Sequence, residues 1–236
     1  MTNDTRSAAT SAEAEAEAEA AASAEVENEN ESALMPEQML KLVKEQQGEM
    51  ERTQLAPIPW MLGVWGVAWL VGFLLLWSAA PASNSPVSIP GPVAGIGFGV
   101  LIGAAIAAST VLGIRIGRGV QGNSSFAGAV YGISWGLCGT AFGTVGVALM
   151  NNGMSYELAT LYYPSAFALM AGTLYVAGAA LWHQKSMLVL GIILLVTGSV
   201  SPFFGAPTNN LVMALLGGGT MLFMAILAAV RLRRKA

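Results

Sequence analysis

Six long apolar stretches dominate the chain after residue 56. They cover about residues 58 to 80, 91 to 113, 124 to 150, 161 to 182, 186 to 204 and 208 to 230. An α-helix rises about 1.5 Å per residue, so about 20 apolar residues cross a hydrocarbon core of about 30 Å. The pattern therefore predicts six transmembrane helices joined by short polar connections.

Charged residues avoid these stretches. The only charged side chains in residues 56 to 230 are Arg115, Arg118, Glu157 and Lys185. A charge at the centre of a membrane helix costs at least about 2.5 kcal/mol on insertion scales. The whole chain is 54% hydrophobic and 11% charged, against about 25% charged in soluble domains. We therefore expect an all-α integral membrane protein, with a six-span transmembrane bundle at residues 56 to 230.

The N-terminal segment has a different composition. Residues 1 to 34 are mostly Ala, Glu, Ser, Asn and Thr and include the run EAEAEAEA. Such a segment cannot bury enough apolar surface to offset its ordering entropy. It is predicted to be a disordered, acidic cytoplasmic tail, and docking of a basic partner is the alternative role.

A short amphipathic helix is predicted before the first span, at residues 35 to 55. Pro36 suits a first helical turn, and Leu40, Val43 and Met50 recur at helical spacing. The interpretation favoured here is a juxtamembrane helix on the lipid surface, and a partner-binding helix is the alternative. Residues 231 to 236 form a basic cytoplasmic C-terminus.

The loops indicate the orientation. Lys and Arg occur before the first span, between spans two and three, between spans four and five, and after span six, whereas the alternate loops have none. The positive-inside rule then places both termini in the cytoplasm, as six spans also require. The expected location is the cell membrane.

Glycine recurs at steps of four in two consecutive spans. Small residues let two membrane helices approach closely, so spans two and three are predicted to pack as a pair; contact with a second copy or another membrane subunit, and a pore lined by helix backbone, are the alternatives. The residues are Gly95, Gly99 and Gly103 in span two, and Gly128, Gly132, Gly136, Gly139 and Gly143 in span three. Three successive glycines in span six, Gly217, Gly218 and Gly219, indicate either a hinge or a close packing point.

Uncharged polar residues define a hypothetical solute path. Tyr131, Ser134 and Cys138 share one face of span three, and four amides lie near the predicted outer side, namely Asn151, Asn152, Asn209 and Asn210. The alternatives are that hydroxyls bond to their own helix backbone, that the amides are solvated loop residues, and that Cys138 is a packing residue.

Several chemistries lack the residues they need. The GxGxxG match at residues 117 to 122 has no neighbouring βαβ unit to support a nucleotide site. One histidine and one acidic residue near the outer side cannot assemble a hydrolytic set, and no ionisable carboxylate, amine or imidazole lies deep in a span to relay protons. We expect no enzymatic activity, no cofactor and no nucleic-acid partner.

Two functions remain after these exclusions. One is a permease-like facilitator, a transporter passing a small neutral solute through an uncharged interior. The other is a non-transporting accessory or anchoring subunit that binds a partner through its cytoplasmic N-terminal segment. The lipid bilayer is a partner in both.

Overall fold

The computed structural model describes residues 38–44, 56–117 and 123–234. Residues 38–44 are helical and exposed. The predicted acidic tail and the rest of the predicted juxtamembrane helix lie outside these ranges.

The described part of residues 56 to 234 is built from helices and contains no strand. Six helices are long and apolar enough to cross a membrane, as the sequence predicts. They are α1 (Ile58–Ser78), α2 (Gly91–Gly117), α3 (Asn123–Asn151), α4 (Tyr156–Trp182), α5 (Lys185–Val200) and α6 (Thr208–Arg234). A 3-10 turn, Ser201–Phe204, extends α5, and a π-helical segment, Met213–Gly218, interrupts α6.

Helix α4 begins before the predicted residue 161 because polar residues cap its first turn. The Ser155 hydroxyl accepts a hydrogen bond from the Leu158 N–H at 3.2 Å, and Glu157 lies in the first turn. Both features stabilise a helix N-terminus. At the other end, His183 adopts a left-handed conformation with a φ of 53° and its N–H donates to Ala179 O, which ends the helix.

Four of the six helices form the core. Helices α1, α4, α5 and α6 contribute its buried side chains, which are Trp69, Phe73, Ala168, Ala171, Leu190, Leu194, Met213, Ala214 and Met221. Helix α2 packs mainly against α1, where Trp65 Nε1 donates to Ser109 Oγ at 2.7 Å. Helix α3 packs mainly against α4, and α2 and α3 have little contact with each other.

Glycines bring two helix pairs into backbone contact. A Cβ atom added to Gly172 of α4 would lie 2.9 Å from Gly191 O of α5, and one added to Gly191 would lie 2.9 Å from Gly172 O. In the same way, a Cβ atom on Gly218 of α6 would lie 2.8 Å from Leu70 Cα and 3.0 Å from Gly66 O of α1. Any larger residue would separate these backbones, so the pairs α4–α5 and α1–α6 depend on their glycines.

The glycines expected to join spans two and three have a different environment. A Cβ atom added to any of seven of them meets nothing within 4 Å, and one on Gly139 meets only Phe167 at 4.0 Å; the seven are Gly95, Gly99, Gly103, Gly128, Gly132, Gly136 and Gly143. This corrects the expectation that the two spans pack tightly within one chain. The physical reason is that α2 and α3 use other faces to pack against α1 and α4. Contact with a second copy or another subunit stays a prediction.

We predict that Gly218→Ala destabilises the fold, because the new methyl group meets backbone atoms of α1 that cannot rotate away. Overpacking of this kind costs about 1 to 3 kcal/mol, measurable as a lower midpoint of thermal unfolding in detergent. The matched control is Gly132→Ala, where the added methyl group meets open space and alanine has the higher helix propensity. Equal midpoints for the two variants would contradict the close α1–α6 contact.

Candidate functional site

The polar face predicted on α3 is only partly buried. The Ser134 hydroxyl donates to Val130 O, one turn earlier in its own helix, at 2.8 Å. Cys138 is a free cysteine of intermediate exposure. Ser134 therefore has a partner within its own helix, as the alternative interpretation of this face proposed.

Asn151 and Asn152 lie at the surface. Both are exposed at the end of α3, and Asn152 Nδ2 donates to Ala148 O at 2.8 Å. The structure thus separates these two amides from Asn209 and Asn210, although the sequence suggested one group.

Asn209 and Asn210 are buried, with exposed fractions of 0% and 6%. Three more buried polar side chains lie on helices of the same core: Ser165 of α4, Thr197 of α5 and Ser201 of the following 3-10 turn. The hydroxyls of Ser165 and Ser201 are 3.4 Å apart. We group Ser165, Ser201, Asn209 and Asn210 as the buried amide site, because the 3-10 turn that carries Ser201 contacts both α4 and the start of α6; it lies at the end of the bundle that carries the α3–α4 and α5–α6 connections.

A proline in α4 explains one contact of Asn209. Pro164 has no N–H, so the carbonyl of Thr160, four residues earlier, lacks its normal partner in the helix. Asn209 Nδ2 donates to this carbonyl at 2.8 Å. A side chain from α6 therefore completes the hydrogen bonding of α4.

This contact also fixes the orientation of the Asn209 amide. Thr160 O can only accept a hydrogen bond, so the group facing it must be the NH₂ and the Oδ1 atom must point elsewhere. Asn209 Oδ1 is buried and has no donor, and the same is true of Asn210 Oδ1. A buried acceptor without a donor costs about 1 to 3 kcal/mol, so a hydrogen-bond donor at either oxygen would be favourable.

Tyr131 belongs to a second group, near the opposite end of the bundle. Its ring packs edge-on against Trp182, with centroids 4.7 Å apart, and against Trp135 at 6.0 Å. Its hydroxyl is buried, makes no hydrogen bond of good geometry with the described residues, and occupies space opened by Gly178, where an added Cβ would lie 2.9 Å from it. Along α4, the buried Ala168 and Ala171 separate this aromatic group from Ser165. The residues of the predicted solute path therefore do not form one continuous group, since Tyr131 and the two buried amides lie on opposite sides of an apolar core, and the path stays a prediction.

The three successive glycines at residues 217 to 219 lie in α6, beside the apolar core. An added Cβ would lie 2.9 Å from the Trp69 ring at Gly217 and against the α1 backbone at Gly218, whereas at Gly219 the nearest atom is Ala214 O at 4.0 Å. Gly217 and Gly218 end the π-helical segment. Two of the three are close packing points, and the hinge stays a prediction.

Sequence reasoning missed Thr160, Pro164, Ser165 and Ser201. Pro164 carried a usable signal, because a proline inside a predicted span exposes the carbonyl four residues before it. Which side chain fills that gap depends on the neighbouring helix. No sequence pattern indicated it.

The charges and metal ligands are sparse in this part of the chain. Glu157 is exposed on the first turn of α4, and no group of three or more His, Cys, Asp or Glu side chains in the described ranges could hold a metal ion. The buried amide site therefore offers neutral hydrogen-bonding groups alone.

Comparison of the chain with protein-family models, curated proteins and solved structures found no match. The fold defines the class of the protein: a multi-pass α-helical membrane protein in contact with the lipid bilayer.

We predict that Asn209→Leu destabilises the protein by less than the about 1 to 3 kcal/mol of an unpaired buried carbonyl, because Thr160 O loses its donor while the unpaired Asn209 Oδ1 is removed with the amide. In a Pro164→Ala background the same change should cost less, since the new N–H of residue 164 can bond to Thr160 O. A double-mutant cycle of unfolding free energies measures the difference. Additive effects would show that the two residues do not share this carbonyl.

Two tyrosines give a second matched pair. Tyr131→Phe should leave stability unchanged or raise it, because the lost hydroxyl makes no hydrogen bond of good geometry with the described residues. Tyr162→Phe should lower it by about 1 kcal/mol, because the Tyr162 hydroxyl donates to Phe142 O of α3 at 3.0 Å. Thermal unfolding of the two variants checks which has the lower midpoint. A lower midpoint for Tyr131→Phe than for Tyr162→Phe would show that Tyr131 makes the stronger bond.

Proposed function

We propose that the protein is a facilitator for a small neutral solute, located in the cell membrane with both termini in the cytoplasm. The observation that carries this proposal is the pair of buried amide oxygens without donors, at Asn209 and Asn210, inside an apolar six-helix bundle. In this orientation the buried amide site lies in the outer half of the membrane.

The passage is closed in this conformation, since the apolar core of α1, α4, α5 and α6 lies beyond the amide site. Transport therefore requires a helix movement. The π-helical segment of α6 and Gly219, which meets little around it, provide the hinge in our proposal.

Liposomes containing the purified protein test this function through light scattering as small neutral solutes enter. We expect protein-dependent flux that falls at least about tenfold in Asn209→Leu, corresponding to about 1.4 kcal/mol of lost solute stabilisation. The control is Asn152→Leu, a change at an exposed amide of the same end, which should keep full flux. No flux for any solute, with correctly inserted protein, would refute the facilitator role.

The accessory-subunit function is the second candidate. Helices α2 and α3 favour it, because most of their surfaces, including seven of the eight glycines at steps of four, meet no other residue among those that the structure describes at 56–117 and 123–234. The same liposome assay on a chain lacking residues 1 to 34 separates the two functions. A facilitator keeps its flux after this deletion. A subunit that acts through its tail shows no flux with or without residues 1 to 34, and the deletion removes its binding to the partner.

A further inference from the structure

We propose that the buried amide site binds a neutral solute of the carboxamide or urea class, which donates N–H hydrogen bonds and accepts through a carbonyl. This inference deepens the proposed function by naming its solute class. It rests on three properties of the site: open acceptors, available hydroxyls and the absence of buried charge.

The open acceptors require a donor. Asn209 Oδ1 is held away from Thr160 by the bond that its own NH₂ makes, so rotation of the amide cannot satisfy it without breaking that bond. Asn210 Oδ1, on the next residue of α6, is buried and unpartnered as well. A solute with only acceptor atoms would leave both oxygens unpaired, whereas an NH₂ group supplies two donors.

The hydroxyls provide the complementary groups. The Ser165–Ser201 separation of 3.4 Å is long for an O–H···O bond, whose usual range is about 2.5 to 3.0 Å. Both hydroxyls are therefore weakly engaged and can donate to a ligand carbonyl.

The lack of buried charge selects a neutral ligand. Ser165, Thr197, Ser201, Asn209 and Asn210 are the buried polar residues of the described chain, and all are uncharged. A buried cation costs several kcal/mol unless an opposite charge pairs with it. Glu157, on the exposed first turn of α4, can meet a cation at the surface and lies outside this buried set.

Cysteine protection tests the proposal without measuring transport. Cys138 is the only cysteine of the chain, so Cys138→Ala gives a cysteine-free background for Ser201→Cys. A thiol reacts as thiolate, which requires water; the rate of modification by methyl methanethiosulfonate therefore reports whether the site is accessible. Thr197→Cys, one turn earlier on α5, is the second probe if Ser201→Cys fails to fold.

Acetamide and acetone form the ligand pair, because they match in shape and differ in the NH₂ group. We expect acetamide to slow the modification about fivefold at four times its dissociation constant, by mass action, and acetone to leave it unchanged. Protection should disappear in Asn209→Leu. At the exposed control Asn152→Cys, neither solute should change the rate.

Three results would overturn the proposal: an unreactive cysteine, which shows a dry site; equal protection by acetamide and acetone, or none; and protection by potassium ions, which shows a cation site. Protection by acetamide without any flux in liposomes would refute the facilitator role and leave the binding site standing. Acetamide flux without protection would refute the binding site and leave the facilitator role standing.

Discussion

The core depends on backbone contact between glycine-bearing helices. Gly172 and Gly191 join α4 to α5, while Gly66 and Gly218 join α1 to α6. In a bilayer the lipid chains are as apolar as the side chains, so helices gain little from hydrophobic burial and associate through close packing. The two glycine pairs therefore fix α4 against α5 and α1 against α6, and α2 and α3 pack on α1 and α4 from outside.

A missing hydrogen bond links this packing to the polar site. Pro164 leaves Thr160 O without a partner, and Asn209 of α6 supplies the donor. Since unpaired backbone groups are costly in hydrocarbon, the contact holds α6 against α4 and at the same time orients the Asn209 amide. The open oxygen that defines the proposed solute site is thus a product of helix assembly.

Length and hydropathy were sufficient to predict six helices, because crossing a bilayer imposes both. They could not give the helix partners: glycine spacing describes a flat face, and a Cβ atom added to Gly99 or Gly132 meets no neighbour among the described residues. Nor could the sequence distinguish the exposed Asn152 from the buried Asn209, since both are amides near a helix end and their burial depends on the other helices. Pro164 was readable in advance, but its partner was not.

The contact of α6 with both α1 and α4 has a consequence for biosynthesis. The chain is made from its N-terminus, so the first span enters the membrane long before Gly218 exists, and the carbonyl of Thr160 is exposed until Asn209 follows. Until α6 is made, the early helices form an incomplete assembly, and lipid, water or the insertion machinery shields their exposed groups. Arrival of α6 supplies both contacts together, the Gly218 surface for α1 and the Asn209 donor for Thr160 O.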